Sequence, residues 1–172
     1  VLPVIDNGYL WIEDGLIGAY GESIPSNIAP LEMQADRVID ATGKMVFPSY
    51  CDSHTHLVYA GSREIEFMDK IRGLSYQEIA RRGGGILNSV ELLHRTSEDQ
   101  LLAQALVRAE EIIGFGTGAV EIKSGYGLTL EDEIKMLRVA KRVEEQTPLT
   151  VKRTFLGAHA VPARYSGRRE EY

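Results

Sequence analysis

At 172 residues, with 44% apolar and 26% charged side chains, the chain is long enough to bury a core and too mixed in composition to be disordered. A net charge of −6 and a pI near 5.3 exclude the basic stripe that a nucleic-acid surface needs. A single cysteine, Cys51, excludes an internal disulfide; no apolar run reaches the ~18 residues of a membrane span and no signal-peptide pattern opens the chain, so a cytoplasmic setting is expected.

In chain order, GYLWIEDGLIGAYG (8–21) reads as two short strands around a turn at Glu13-Asp14-Gly15. VIDATGKMVFPSY (38–50) offers a further strand, a turn at Gly43 and another strand that Pro48 begins or interrupts. Residues 1–46 are therefore expected to form part of a small β-rich domain. From 47 to 172 strands and helices alternate, the pattern of parallel strands joined by crossovers.

The first strand of this second part ends in CDSHTH (51–56), which sets Asp52, His54 and His56 at alternate positions. Ser75 with Glu78, and Ser97 with Gln100, have the three-residue spacing of capping boxes. The second box opens the amphipathic run SEDQLLAQALVRAEEIIGFG, closed by Gly114 and Gly116. TGAVEIKS is the next strand, a helix follows over about 130–145, and LTVKRTFLGAH supplies a third strand.

Strand parity locates the chemistry. Val120 and Ile122 share one face of the second strand, so burying them under helices turns Glu121 and Lys123 inward, where an ion pair is expected. Open parallel sheets bury apolar residues on both faces, whereas a closed barrel accepts polar groups at the C-terminal ends of its strands. His54, His56 and His159 all fall at that rim. Two neutral imidazoles at alternate strand positions can reach one zinc or ferrous ion from the same side, although this spacing also arises for satisfied polar histidines. His94 is read differently, as a histidine complementing a helix C-terminus. GFGTG and RRGGGI lack the spacing of a phosphate-binding loop, so nucleotide binding is not indicated.

Four blocks in order, CDSHTHLVYAGSREIEF, RGGGILNSV, EIKSGYGL and TFLGAHAVP, closely resemble the amidohydrolase superfamily of metal-dependent hydrolases. Within it they are most similar to the member that opens the ring of 4-imidazolone-5-propanoate to N-formimidoyl-L-glutamate in histidine degradation. One departure is Ser49 after Pro48, where the family signature has glycine. The resemblance implies an α/β fold, the first part of a (β/α)8 TIM-like barrel preceded by part of a small composite β domain. It further implies His54 and His56 as ligands of one divalent ion, zinc or iron, that activates the attacking water. Arg63 would hold the propanoate, Tyr126 and His159 would orient the ring, and Tyr76 would join the same pocket. A homodimer is implied as well. The family's remaining ligands, a histidine and an aspartate, and its proton-transfer residues would lie beyond Tyr172, so this piece alone is expected to be inactive and to hold metal weakly. The residues leave alternatives open: Arg63 as a solvated charge at a helix start, Tyr126 as a loop stabiliser, a deaminase sharing the paired histidines, or a non-catalytic α/β scaffold.

Overall fold

A computed structural model describes residues 3–22, 35–81 and 84–172. By its contacts the chain divides into two units, Val1–Pro48 and Ser49–Tyr172.

In the first unit, β1 (Tyr9–Glu13) and β2 (Leu16–Gly21) form an antiparallel hairpin. Its two-residue turn is Asp14-Gly15, with φ of 51° and 76°, the left-handed pair that matches the twist of a tight hairpin. The strands expected within 38–50 differ from the structure. The turn at Gly43 is present (φ 72°), but residues 37–49 form no strand. A strand exists only by pairing, and Val38, Ile39, Met45, Val46 and Phe47 lie exposed without a ladder partner among the described residues.

The second unit is a three-stranded parallel sheet: β3 (Tyr50–Thr55), β4 (Thr117–Lys123) and β5 (Thr150–Thr154), adjacent in sequence order. The crossover from β3 to β4 carries four helices rather than one: α1 (Glu64–Ile71), α2 (Tyr76–Arg81), α3 (Ile86–Arg95) and α4 (Glu98–Gly114). That from β4 to β5 carries α5 (Leu130–Gln146). Both expected capping boxes form. The Ser75 hydroxyl accepts from Glu78 N–H at 3.3 Å while Glu78 accepts from Ser75 N–H at 2.8 Å, and Ser97 and Gln100 exchange the same two bonds at 3.3 Å each.

Helices α4 and α5 cover the face carrying Val120, Ile122 and Val151, and Leu101, Ala105, Ala109, Val139 and Val143 complete that core. Glu121 and Lys123 take the opposite face, half-buried and paired at 2.6 Å. Strict alternation through β3 does not hold, however. Asp52 is registered with Val120 but Thr55 with Ile122, so three steps on β3 match two on β4. The irregularity detaches Asp52 from the two-residue rhythm of the histidines, and its carboxylate turns back to accept from His54 N–H at 3.1 Å.

Leu101 is fully buried and Val107, on the same helix, is 67% exposed. Leu101→Ala should lower unfolding free energy by about 2–5 kcal/mol, and Val107→Ala by no more than about 0.5 kcal/mol, as read by chemical denaturation.

Candidate functional site

The side chains gather where β3 and β4 end. His56 follows β3 directly, and its ring lies 5.6 Å from that of His54, measured between centroids. Tyr126, in the loop after β4, meets the His56 ring edge-on at 5.0 Å and 89°. His159, in the turn after β5, lies 5.0 Å from His56 and 5.6 Å from Tyr126. The end of β3, with His54, and the segments following the three parallel strands, with His56, Tyr126 and His159, thus bring four of the expected residues together.

A cavity of about 250 Å³ opens beside them, lined by His56, Tyr59, Ala60, Arg63, Ser89 and Tyr126. Arg63 stands at the N-terminal cap of α1, and its Nε donates to Glu66 at 2.9 Å, with a second, shorter bond from Nη2. The Glu66 carboxylate raises the Arg63 pKa, so the guanidinium is held charged at the cavity wall. The Nε and Nη2 side of its donor fork faces Glu66. Tyr76 does not line this cavity. It begins α2, 58% exposed, with its hydroxyl 3.5 Å from where a Cβ on Gly85 would stand.

The loops are held from behind by carboxylates that sequence reasoning did not single out. Glu133, 1% exposed on α5, accepts from the N–H groups of Gly125 (2.6 Å), Gly127 (2.8 Å) and Leu128 (2.8 Å). This fixes the loop carrying Tyr126 and supports Leu128 at φ 51°, a left-handed conformation unusual for a branched residue. Gly125 is required for space as well as conformation: its φ is 116°, and a Cβ would fall 2.9 Å from His159 Cβ. The signal for Glu133 was present in the spacing, since it shares a helical stripe with buried Met136, Ala140 and Val143. Glu66 acts similarly, its Oε1 accepting from Gly85 N–H at 2.8 Å while Oε2 holds Arg63. Arg82 and Gly83, of the same glycine-rich block, lie outside the described residues. His94 sits at the end of α3 as expected, and its Nδ1 contacts Asp132 at 2.8 Å.

His56 shows the donor chemistry of a metal ligand. Its Nδ1 is buried and has no hydrogen-bond partner, an uncompensated polar atom of the kind a metal ion would satisfy. Burial, and then the neighbouring His159 and His54, push its pKa down and keep the imidazole in the neutral, ligating form. His54 and His56 therefore fit as part of a donor set for a divalent ion. Among the described residues no group of three or more histidine, cysteine, aspartate or glutamate side chains is arranged to hold one.

The chain is 56% identical over 172 residues to an imidazolonepropionase of Flavobacterium psychrophilum and 53% identical over 173 residues to that of Flavobacterium johnsoniae. It is 45% identical over 169 residues to that of Yersinia enterocolitica. These alignments take in 98 to 100% of this chain but 41% of each relative, their N-terminal portion. No protein-family model matches the chain.

Two outcomes are expected from the clamps. A glutamine at 133 keeps one acceptor oxygen but turns an NH2 group toward one of the loop's donors, so Glu133→Gln should cost about 1–3 kcal/mol in denaturant unfolding. Hydrogen bonding to Arg63 lowers the Glu66 pKa against the opposing effect of burial. A folded-state pKa below the unfolded value of about 4.3 means that this contribution is complete above that pH and is lost as pH falls through the lower folded value. Stability measured against pH should show a smaller acid loss in Glu66→Gln than in the unaltered protein.

Proposed function

This chain is a relative of the imidazolonepropionases along its whole length, and from that premise we propose that the protein hydrolyses the ring C–N bond of 4-imidazolone-5-propanoate, giving N-formimidoyl-L-glutamate. The observation that carries the reading is the cavity itself, whose wall includes both a neutral histidine and a charged arginine. That combination of functions suits a small ring bearing a carboxylate arm. We further propose that β3, β4 and β5 are strands of a (β/α)8 barrel whose C-terminal mouth is the active site. Residues 1–46 would be part of a small β domain, and the protein would act in the cytoplasm as a homodimer.

His54 and His56 would hold the ion, zinc or iron. When bound, it supplies Lewis acidity and brings the pKa of water toward neutrality. The protein's own residues do the positioning. Arg63, with Glu66 fixing one side of its guanidinium, offers its remaining N–H groups to the carboxylate in charge-assisted hydrogen bonds. Tyr126 and His159 pack on the His56 ring and present a hydroxyl and an imidazole nitrogen to the polar edge of the substrate ring. Tyr76, outside the cavity wall, would approach only at its margin. Binding energy gathered at the carboxylate is thus used to hold the reacting carbon in place.

The test is made on the full-length protein with purified 4-imidazolone-5-propanoate, following loss of the ring chromophore alongside elemental analysis. His54→Ala and His56→Ala should lose metal and turnover together, because a mononuclear site has no ligand to spare. Arg63→Ala should keep its metal and lose about 2–5 kcal/mol of substrate affinity, the range for removing one partner of a buried charge pair. Full metal in both histidine variants, or unchanged kinetics in Arg63→Ala, would refute these assignments.

A further inference from the structure

We infer that Arg108, on α4 and outside the cavity, is a positioning residue for recognition of the substrate's carboxylate, because it holds the turn that separates His56 from Arg63. The inference rests on the function proposed above and deepens it. Arg108 Nη1 donates to the carbonyls of Leu57 (3.1 Å) and Tyr59 (3.0 Å), and Nη2 to those of Gly61 (3.4 Å) and the Gln104 side chain (3.5 Å). Its guanidinium carbon also lies 3.4 Å from the centroid of the Tyr59 ring, and Tyr59 is itself part of the cavity wall. Gln104, one helical turn earlier, accepts from Gly61 N–H at 3.2 Å. One face of α4 therefore grips residues 57, 59 and 61 by their main chain.

Leu57, Val58 and Ala60 anchor the turn's side chains in the core, but its main-chain carbonyls at 57, 59 and 61 are held by Arg108. Gly61 has φ 66°, a conformation that strains any residue with a side chain, so that corner relies on main-chain contacts. Every hydrogen-bond partner of Arg108 named above is a neutral oxygen. Half-burying a cation among carbonyls is a costly way to gain stability alone, and burial does press the Arg108 pKa downward. What the planar fork provides is simultaneous hold on several carbonyls and on a ring face, which an ammonium group cannot reproduce. Two residues beyond Gly61 stands Arg63, so the turn sets how far the carboxylate grip lies from His56.

The test compares Arg108→Met and Arg108→Lys with the unaltered full-length, metal-loaded protein. Two compounds are used: 4-imidazolone-5-propanoate and the same ring carrying a methyl group in place of the propanoate arm. The preference for the carboxylate compound, as the ratio of kcat/KM values, should fall about tenfold in Arg108→Met, through KM, as small misplacements of a binding group do. Metal content should not change, and lysine should restore part of the preference. An unchanged preference, even with a lower unfolding midpoint, would reduce Arg108 to a structural residue and overturn the inference. If Arg108→Met does not fold, the lysine variant carries the measurement, and full preference there overturns it equally. Failure of the functional reading would appear as an unaltered protein that hydrolyses neither compound. Hydrogen exchange of residues 57–63 then decides: faster exchange in the variants upholds the role of Arg108 in holding the turn, and unchanged exchange overturns it.

Discussion

Three backbone N–H groups of one loop converge on the buried carboxylate of Glu133, and the placement of Tyr126 follows from that convergence. A lone buried carboxylate is expensive, because it leaves water without replacement for its hydration. Here three main-chain donors stand in for water, and the loop has to adopt one shape to provide them. Leu128 is held at positive φ and Gly125 is drawn close enough to touch His159. The contact between the loops after β4 and β5 is thus a consequence of a helix residue that does not enter the site.

The same logic recurs around the rim. Glu66 joins Arg63 to the amide of Gly85, tying the start of α1 to the start of α3. Asp132 receives Lys135, His94 and Thr129; burial alone would raise its pKa, but these partners together hold it below the ordinary value. On the sheet, Glu121 takes both Lys123 and the Thr154 hydroxyl, bridging β4 to β5. Apolar burial under α4 and α5 makes the sheet stable, while buried acids with several donors give the loop ends a single arrangement.

Much of this is legible in the sequence. Capping pairs are local, and so Ser75 with Glu78 and Ser97 with Gln100 could be read from spacing alone. Alternation in β4 placed Val120 and Ile122 opposite Glu121 and Lys123 because a regular strand leaves no other choice. The irregularity between Asp52 and Thr55 has no local signature, and it broke the same reasoning on β3. Val46 and Phe47 look like a strand by propensity, yet propensity cannot supply the partner that makes one. The paired histidines, Arg63 and Tyr126 were recognisable as motif residues. Glu133 was signalled only as an acid on a buried helical stripe, and Arg108 not at all, since it acts on carbonyls distant in sequence; only the folded chain shows which amides and carbonyls they meet.

Clamping through the main chain has an evolutionary consequence. Glu133 and Glu66 recognise N–H groups rather than side chains, so their hold on residues 85, 125, 127 and 128 places its demands on backbone conformation and room, met by glycine at 85, 125 and 127, and on the absence of proline. Tyr126 lies between two clamped amides and contributes nothing to the clamp. Its ring packs on His56 and against the edge of the core, so an exchange there would alter the group beside His56 while the clamped amides on either side still hold the main chain. The architecture thereby separates heritable change in ligand chemistry from change in foldability, a division of labour that lets one scaffold explore new substrates in single steps.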